Sequence, residues 1–79
     1  MSKLNVISAK KMIKILERLG FVLLRSKGSH HFFINHENKN TTTVPVHGNE
    51  DLGVGILKEI LKDIDITVEE YEELRKKIK

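Results

Sequence analysis

Apolar residues recur along this chain with two alternating rhythms, and each change of rhythm marks a change of element. From Ser8 to Leu19 the positions Ala9, Met12, Ile13, Leu16 and Leu19 stand three and four residues apart, which gathers them on one face of a helix. Ser8 is placed to cap that helix, and Ile7 and Met12 occupy hydrophobic-staple positions. Gly20 then supplies a left-handed stop, with Phe21 set to fold back on the last turn. Phe21 to Ser26 is dense in branched and aromatic side chains, Lys27-Gly28-Ser29 is a turn signal, and His30 to Asn35 continues as a second strand. Alternation puts His30, Phe32 and Ile34 on one side of that strand and His31, Phe33 and Asn35 on the other. The polar run His36-Glu37-Asn38-Lys39-Asn40 reads as a hairpin loop, and Thr41 to Val46 as a third strand whose Pro45 assigns it to a sheet edge or ends it.

From Leu52 the helical spacing returns, with Leu52, Ile56, Leu57, Ile60, Leu61 and Ile64 in one stripe. Gly53 and Gly55 weaken the start of that helix and mark an entrance expected to lie close to another part of the structure. Thr67 and Glu70 form a capping box for a third, shorter helix, whose apolar stripe is Val68, Tyr71, Leu74 and Ile78. Lys76, Lys77 and Lys79 suit the C-terminal end of its dipole. Without a repeat or linker, the reading is one α+β domain over residues 1–79. Its α-β-β-β-α core spans about 8–64 around a three-stranded antiparallel sheet, and an additional short helix covers about 67–78.

Composition narrows the functions available. The 79 residues include no cysteine, which removes disulfide frameworks, thiolate zinc sites and cysteine nucleophiles, and leans toward a reducing cytoplasm. No apolar run approaches the roughly 20 residues of a membrane span, and Met1-Ser2-Lys3-Leu4-Asn5 lacks the apolar stretch of a secretory signal, so a cytoplasmic protein with no membrane partner is expected. The formal charge of +3 conceals an asymmetry: residues 1–48 carry eight Lys/Arg against two acids, whereas residues 49–79 carry six against nine. The basic front has Lys10, Lys11, Lys14 and Arg18 on the polar face of the first helix and Arg25 and Lys27 in the sheet region. That suggests a polyanion partner on the first helix and the sheet, although a solvated surface shows the same pattern.

The residues best suited to chemistry are Lys27-Gly28-Ser29-His30-His31. Histidine exchanges protons near neutral pH, and a glycine-serine turn leaves the neighbouring strand end open to a bulky partner. Adjacent strand residues point to opposite faces, so one of His30 and His31 serves a given site, and alternation does not say which. Ordinary surface histidines at a polar strand end would look the same. A second constellation, Val44-Pro45-Val46-His47-Gly48, sets His47 between a strand end and a helix N-terminus, where free amides favour an anion. His30, His31, His36 and His47 have neither the helical two-histidine spacing nor a well-placed carboxylate, so no metal is expected. No phosphate loop or dinucleotide fingerprint asks for a cofactor either. At this length a flat site for a large, charged substrate fits better than an enclosed pocket.

Taken in order, the basic first helix ending in Leu19-Gly20-Phe21, the turn Lys27-Gly28-Ser29-His30-His31, the box Val44-Pro45-Val46-His47-Gly48 and the helix running through Gly55-Ile56-Leu57-Lys58-Glu59-Ile60-Leu61 resemble the HicA (YcfA-like) toxins of toxin-antitoxin pairs. The likeness runs from about Ser8 to Ile64. It implies a double-stranded-RNA-binding-like fold and a translation-blocking endoribonuclease, an mRNA interferase, in which the histidine after glycine-serine is required; that residue is His30. It also implies a HicB-type antitoxin as partner. On this expectation His30 takes the proton of a ribose 2′-hydroxyl, while Lys27 and the amides of Gly28 and Ser29 steady the phosphate and His47 supports. The competing expectation is a non-catalytic RNA-binding module of the same fold.

Overall fold

The computed structural model describes residues 4–78, so Met1, Ser2, Lys3 and Lys79, with the parts of the leader and dipole readings that fall on them, lie outside the described residues. The element order is α1 (Ala9–Arg18), β1 (Val22–Lys27), β2 (His30–Ile34), β3 (Thr41–Pro45), α2 (Val54–Asp63) and α3 (Val68–Lys77). The architecture is therefore α+β with a three-stranded antiparallel sheet, as expected, in the order β1-β2-β3. β3 is an edge strand that ends at Pro45, which has no N–H to give to a further ladder.

α1 is bounded as its sequence requires. The Ser8 hydroxyl accepts from the Lys11 N–H, and at the other end the Gly20 N–H donates to the Glu17 carbonyl and the Phe21 N–H to the Leu16 carbonyl. With Gly20 at φ +96°, this is the Schellman pattern, and Phe21 is buried beneath the last turn. The buried face is Ala9, Met12, Ile15 and Leu16, so Ile15 joins the core where spacing alone favoured Ile13, which is half-buried. These side chains share one hydrophobic cluster with Phe33 and Val44 from one side of the sheet, with Leu57, Ile60 and Leu61 from α2, and with Ile64 just after it.

α2 differs from expectation in two ways. It starts after Gly53, whose side-chain-free N-cap leaves the first turn uncapped, and nothing lies within 4 Å of where a Cβ would stand at Gly53 or Gly55. The entrance is open to solvent and not pressed against another element. Ile56 leaves the predicted stripe: it is 44% exposed, because the helix packs against β3 through Leu57, Ile60 and Leu61 and turns Ile56 toward the sheet edge.

α3 has ten residues, as many as α2, so it is not the shorter helix expected. Its capping box is formed on both sides: the Glu70 N–H donates to the Thr67 hydroxyl, and the Thr67 N–H donates to the Glu70 carboxylate. The helix is fastened to the segment preceding α1. Tyr71 is fully buried and donates its hydroxyl to the Asn5 carbonyl, while the Glu72 carboxylate accepts from both the backbone and the side-chain amide of Asn5. Arg75 completes the brace with an ion pair to Glu72 at 2.7 Å.

Candidate functional site

The two faces of the sheet are assigned by cross-strand register. Val44 and Phe33 are core residues, so the face that carries them, with His31 opposite Val44, is the inner one. The other face bears Lys27, His30 and Pro45 in one row across the three strands, and Arg25, Phe32 and Thr43 in the next. Directly paired residues have Cβ atoms about 4.5–5.5 Å apart, so Lys27 and His30 are side-chain neighbours. Lys27, His30 and Arg25 are exposed, and Phe32 is half-buried beneath Arg25, whose guanidinium lies 4.8 Å from the ring centre.

An irregularity in β1 makes this grouping. The register shifts between Leu23, opposite Phe33, and Arg25, opposite Phe32, so Leu24 is an extra residue. Straight alternation from Val22 would have turned Arg25 and Lys27 to the inner side. The bulge reverses them onto the face of His30.

His30 and His31 meet different surroundings. His31 is half-buried on the inner side with Nδ1 3.3 Å from the Ser29 carbonyl, a contact in which the ring N–H donates. The same carbonyl accepts the Val46 N–H at 2.7 Å, which ties the β1–β2 turn to the end of β3. His30 makes no such bond among the described residues and is exposed. Beside it Gly28, with φ +59° at the first position of a two-residue turn, reverses the chain, and the Gly28 and Ser29 N–H groups have no partner among the described residues.

His30 also forms one wall of a cleft of about 530 Å³ between the β3 edge and α2. Thr43 and Pro45 continue that wall, and Ile56, Glu59 and Asp63 face it from α2. The sheet face beside His30 is thus a shallow indentation, open to solvent. Asp63 is engaged, since its Oδ2 accepts the Thr42 hydroxyl at 2.9 Å; Glu59, one turn earlier, has no polar partner among the described residues. Pro45 and Ile56 separate this cleft from a smaller hollow of about 180 Å³, in which His47 lies with Glu50 and Asp51.

The structure therefore brings Arg25, Lys27, Gly28, Ser29 and His30 together, and sets His47 next door. It does not bring the helical cations with them: α1 packs on the inner face, and Lys10, Lys11, Lys14 and Arg18 are exposed on the far side of that helix. Phe32, Ile56, Glu59 and Asp63, which border this grouping, were not among the site residues the sequence pointed to. Their spacing put Ile56, Glu59 and Asp63 on one side of a helix, but nothing in it said which strand edge they would meet. His36 lies in the β2–β3 loop at the opposite end of β2 from His30, and no group of three or more His, Asp or Glu among the described residues can hold a metal ion. No helix among the described residues is long and apolar enough to cross a membrane.

An exposed histidine flanked by two cations and by free backbone amides can exchange a proton with a bound group while holding a phosphate beside it. Residues 9–66 match the family described as HicA toxin of bacterial toxin-antitoxin. No curated protein matches the chain.

Proposed function

Because this chain belongs to the HicA toxin family, we propose that it is a metal-independent endoribonuclease that cleaves messenger RNA through His30 and is held inactive by a HicB-type antitoxin. The observation that carries the reading is the row formed by Lys27, His30 and Pro45 on the open sheet face, with the Gly28-Ser29 turn at its end. His30 removes the proton of a ribose 2′-hydroxyl; that oxygen attacks the adjoining phosphorus, and the 5′ oxygen leaves and takes a proton from solvent. The products are a 2′,3′-cyclic phosphate and a 5′-hydroxyl. The nucleophile is part of the substrate, so the protein has only to align it and move its proton. Lys27, Arg25 and the Gly28 and Ser29 N–H groups stabilise the charge that grows on the phosphate oxygens. His47, in the adjoining hollow, plays a supporting part beside this row.

One positioned proton-transfer group contributes about 10² to 10⁴ in rate, a modest figure that suits a toxin whose damage accumulates. The test uses purified protein, unstructured RNA and a chelator. Fragments ending in cyclic phosphate are expected, with no cut at a position carrying 2′-deoxyribose. Tight binding with no fragments would replace this reading with that of a non-catalytic RNA-binding module.

A further inference from the structure

The cleft beside His30 has two walls of opposite character. On the sheet side stands His30, with Lys27 next to it on β1 and outside the cleft; on the α2 side stand the carboxylates of Glu59 and Asp63. A phosphate pushed into the cleft would meet those carboxylates, so it belongs on the cationic side. What fits between the walls is neutral, flat and rich in N–H donors. The volume of about 530 Å³ lies within the range of small-ligand sites, and Ile56 and Pro45 offer apolar surface to the faces of a ring.

Resting on the nuclease reading, we propose that this cleft receives the base of the nucleotide next to the cleaved phosphate, and that Glu59 selects guanine. Asp63 has one oxygen committed to Thr42, whereas neither oxygen of Glu59 has a polar partner among the described residues. A carboxylate accepts two parallel hydrogen bonds, and guanine alone among the four bases presents two adjacent donors, N1–H and the N2 amino group, on its pairing edge. Uracil offers one N–H, and adenine and cytosine one amino group. Gly55 adds no side chain to the lining, and nothing lies within 4 Å of where its Cβ would stand.

The experiment follows backbone amide signals by NMR while the protein is titrated with guanosine 3′-monophosphate, inosine 3′-monophosphate, which lacks the N2 amino group, and uridine 3′-monophosphate. Saturable shifts at Gly55, Ile56 and Glu59 are expected with guanosine, with affinity about tenfold above uridine, the scale of one bidentate base contact. Inosine should fall between them. Glu59→Gln should lose the guanosine advantage, and Gly55→Leu, which adds bulk to the lining, should weaken the cleft shifts for all three. Shifts confined to Lys27–His30 with equal affinities, or an advantage unchanged in Glu59→Gln, would overturn the proposal. RNA cleavage run in parallel separates the two claims. Cleavage without guanosine preference removes the base site and leaves the nuclease, whereas guanosine-selective binding by a protein that cuts no RNA keeps the base site and removes the nuclease.

Discussion

His30 and His31 are the same side chain on successive residues, and only orientation separates them. His31 is turned inward and bonded to the Ser29 carbonyl; His30 is exposed beside Lys27. Replacing His31 with alanine is expected to loosen the β1–β2 turn and cost about 1 kcal/mol in urea denaturation, the net worth of one hydrogen bond. Alternation showed that the two face opposite ways, but the inner face was readable only once Phe33 and Val44 were seen in the core. Tyr71 makes a second residue-scale case. Burial, with smaller help from Glu72, pushes its hydroxyl from 10.0 up to about 12. A group whose pKa is raised by folding adds stability that is complete below its unfolded value, so this contribution should hold below about pH 10 and fade as pH climbs toward 12. Tyr71→Phe should lose about 1 kcal/mol at neutral pH and abolish that alkaline decline, as followed by thermal melts across pH.

At the scale of elements, helix ends were the most legible features. Ser8, Gly20 and the Thr67–Glu70 pair all act where their types and spacing placed them. Such signals are local, so they survive whatever the tertiary structure does. Gly20 sits at φ +96°, where a Cβ would be in ordinary contact with the Asn35 amide but on a backbone that L residues avoid. Gly20→Ala is therefore expected to cost about 1–2 kcal/mol by urea denaturation, through conformation and not crowding. The β1 bulge was not legible, because one extra residue in a strand leaves no mark in a run such as Val22-Leu23-Leu24-Arg25. Its consequence is large: it decides which face Arg25 and Lys27 serve. Val22, Leu23 and Leu24 also remain exposed, since the main helix packing of the sheet falls on β3, at the opposite edge from β1.

For the molecule as a whole, the uneven charge resolves into two separate basic surfaces, one on the outer face of the sheet and one on the far side of α1. If RNA lies on the sheet, Arg25→Ala and Lys27→Ala should each reduce the slope of log affinity against log salt by about 0.7, the value for one phosphate contact on a single strand. Lys10→Ala and Lys11→Ala should leave it unchanged. The acidic C-terminal part, opaque in the sequence, acts as a brace. α3 begins after the family match ends at residue 66, and it holds the segment before α1 through Tyr71, Glu72 and Arg75. Hydrogen bonding from Arg75, and then from Asn5, holds the Glu72 carboxyl below its ordinary value of 4.5. Folding thus depresses this group, so its contribution is present above about pH 4.5 and disappears as pH falls below it; Glu72→Gln should flatten that part of the acid unfolding curve.

The central claim is that one histidine of an adjacent pair moves the proton, and the most direct measurement is the rate of RNA cleavage by His30→Ala and His31→Ala beside the unaltered protein, in chelator and at matched folded fraction. A fall of about 10² or more for His30→Ala, with His31→Ala within about tenfold of the parent, is the predicted result. A folded His30→Ala protein that cuts RNA as fast as the parent would contradict it.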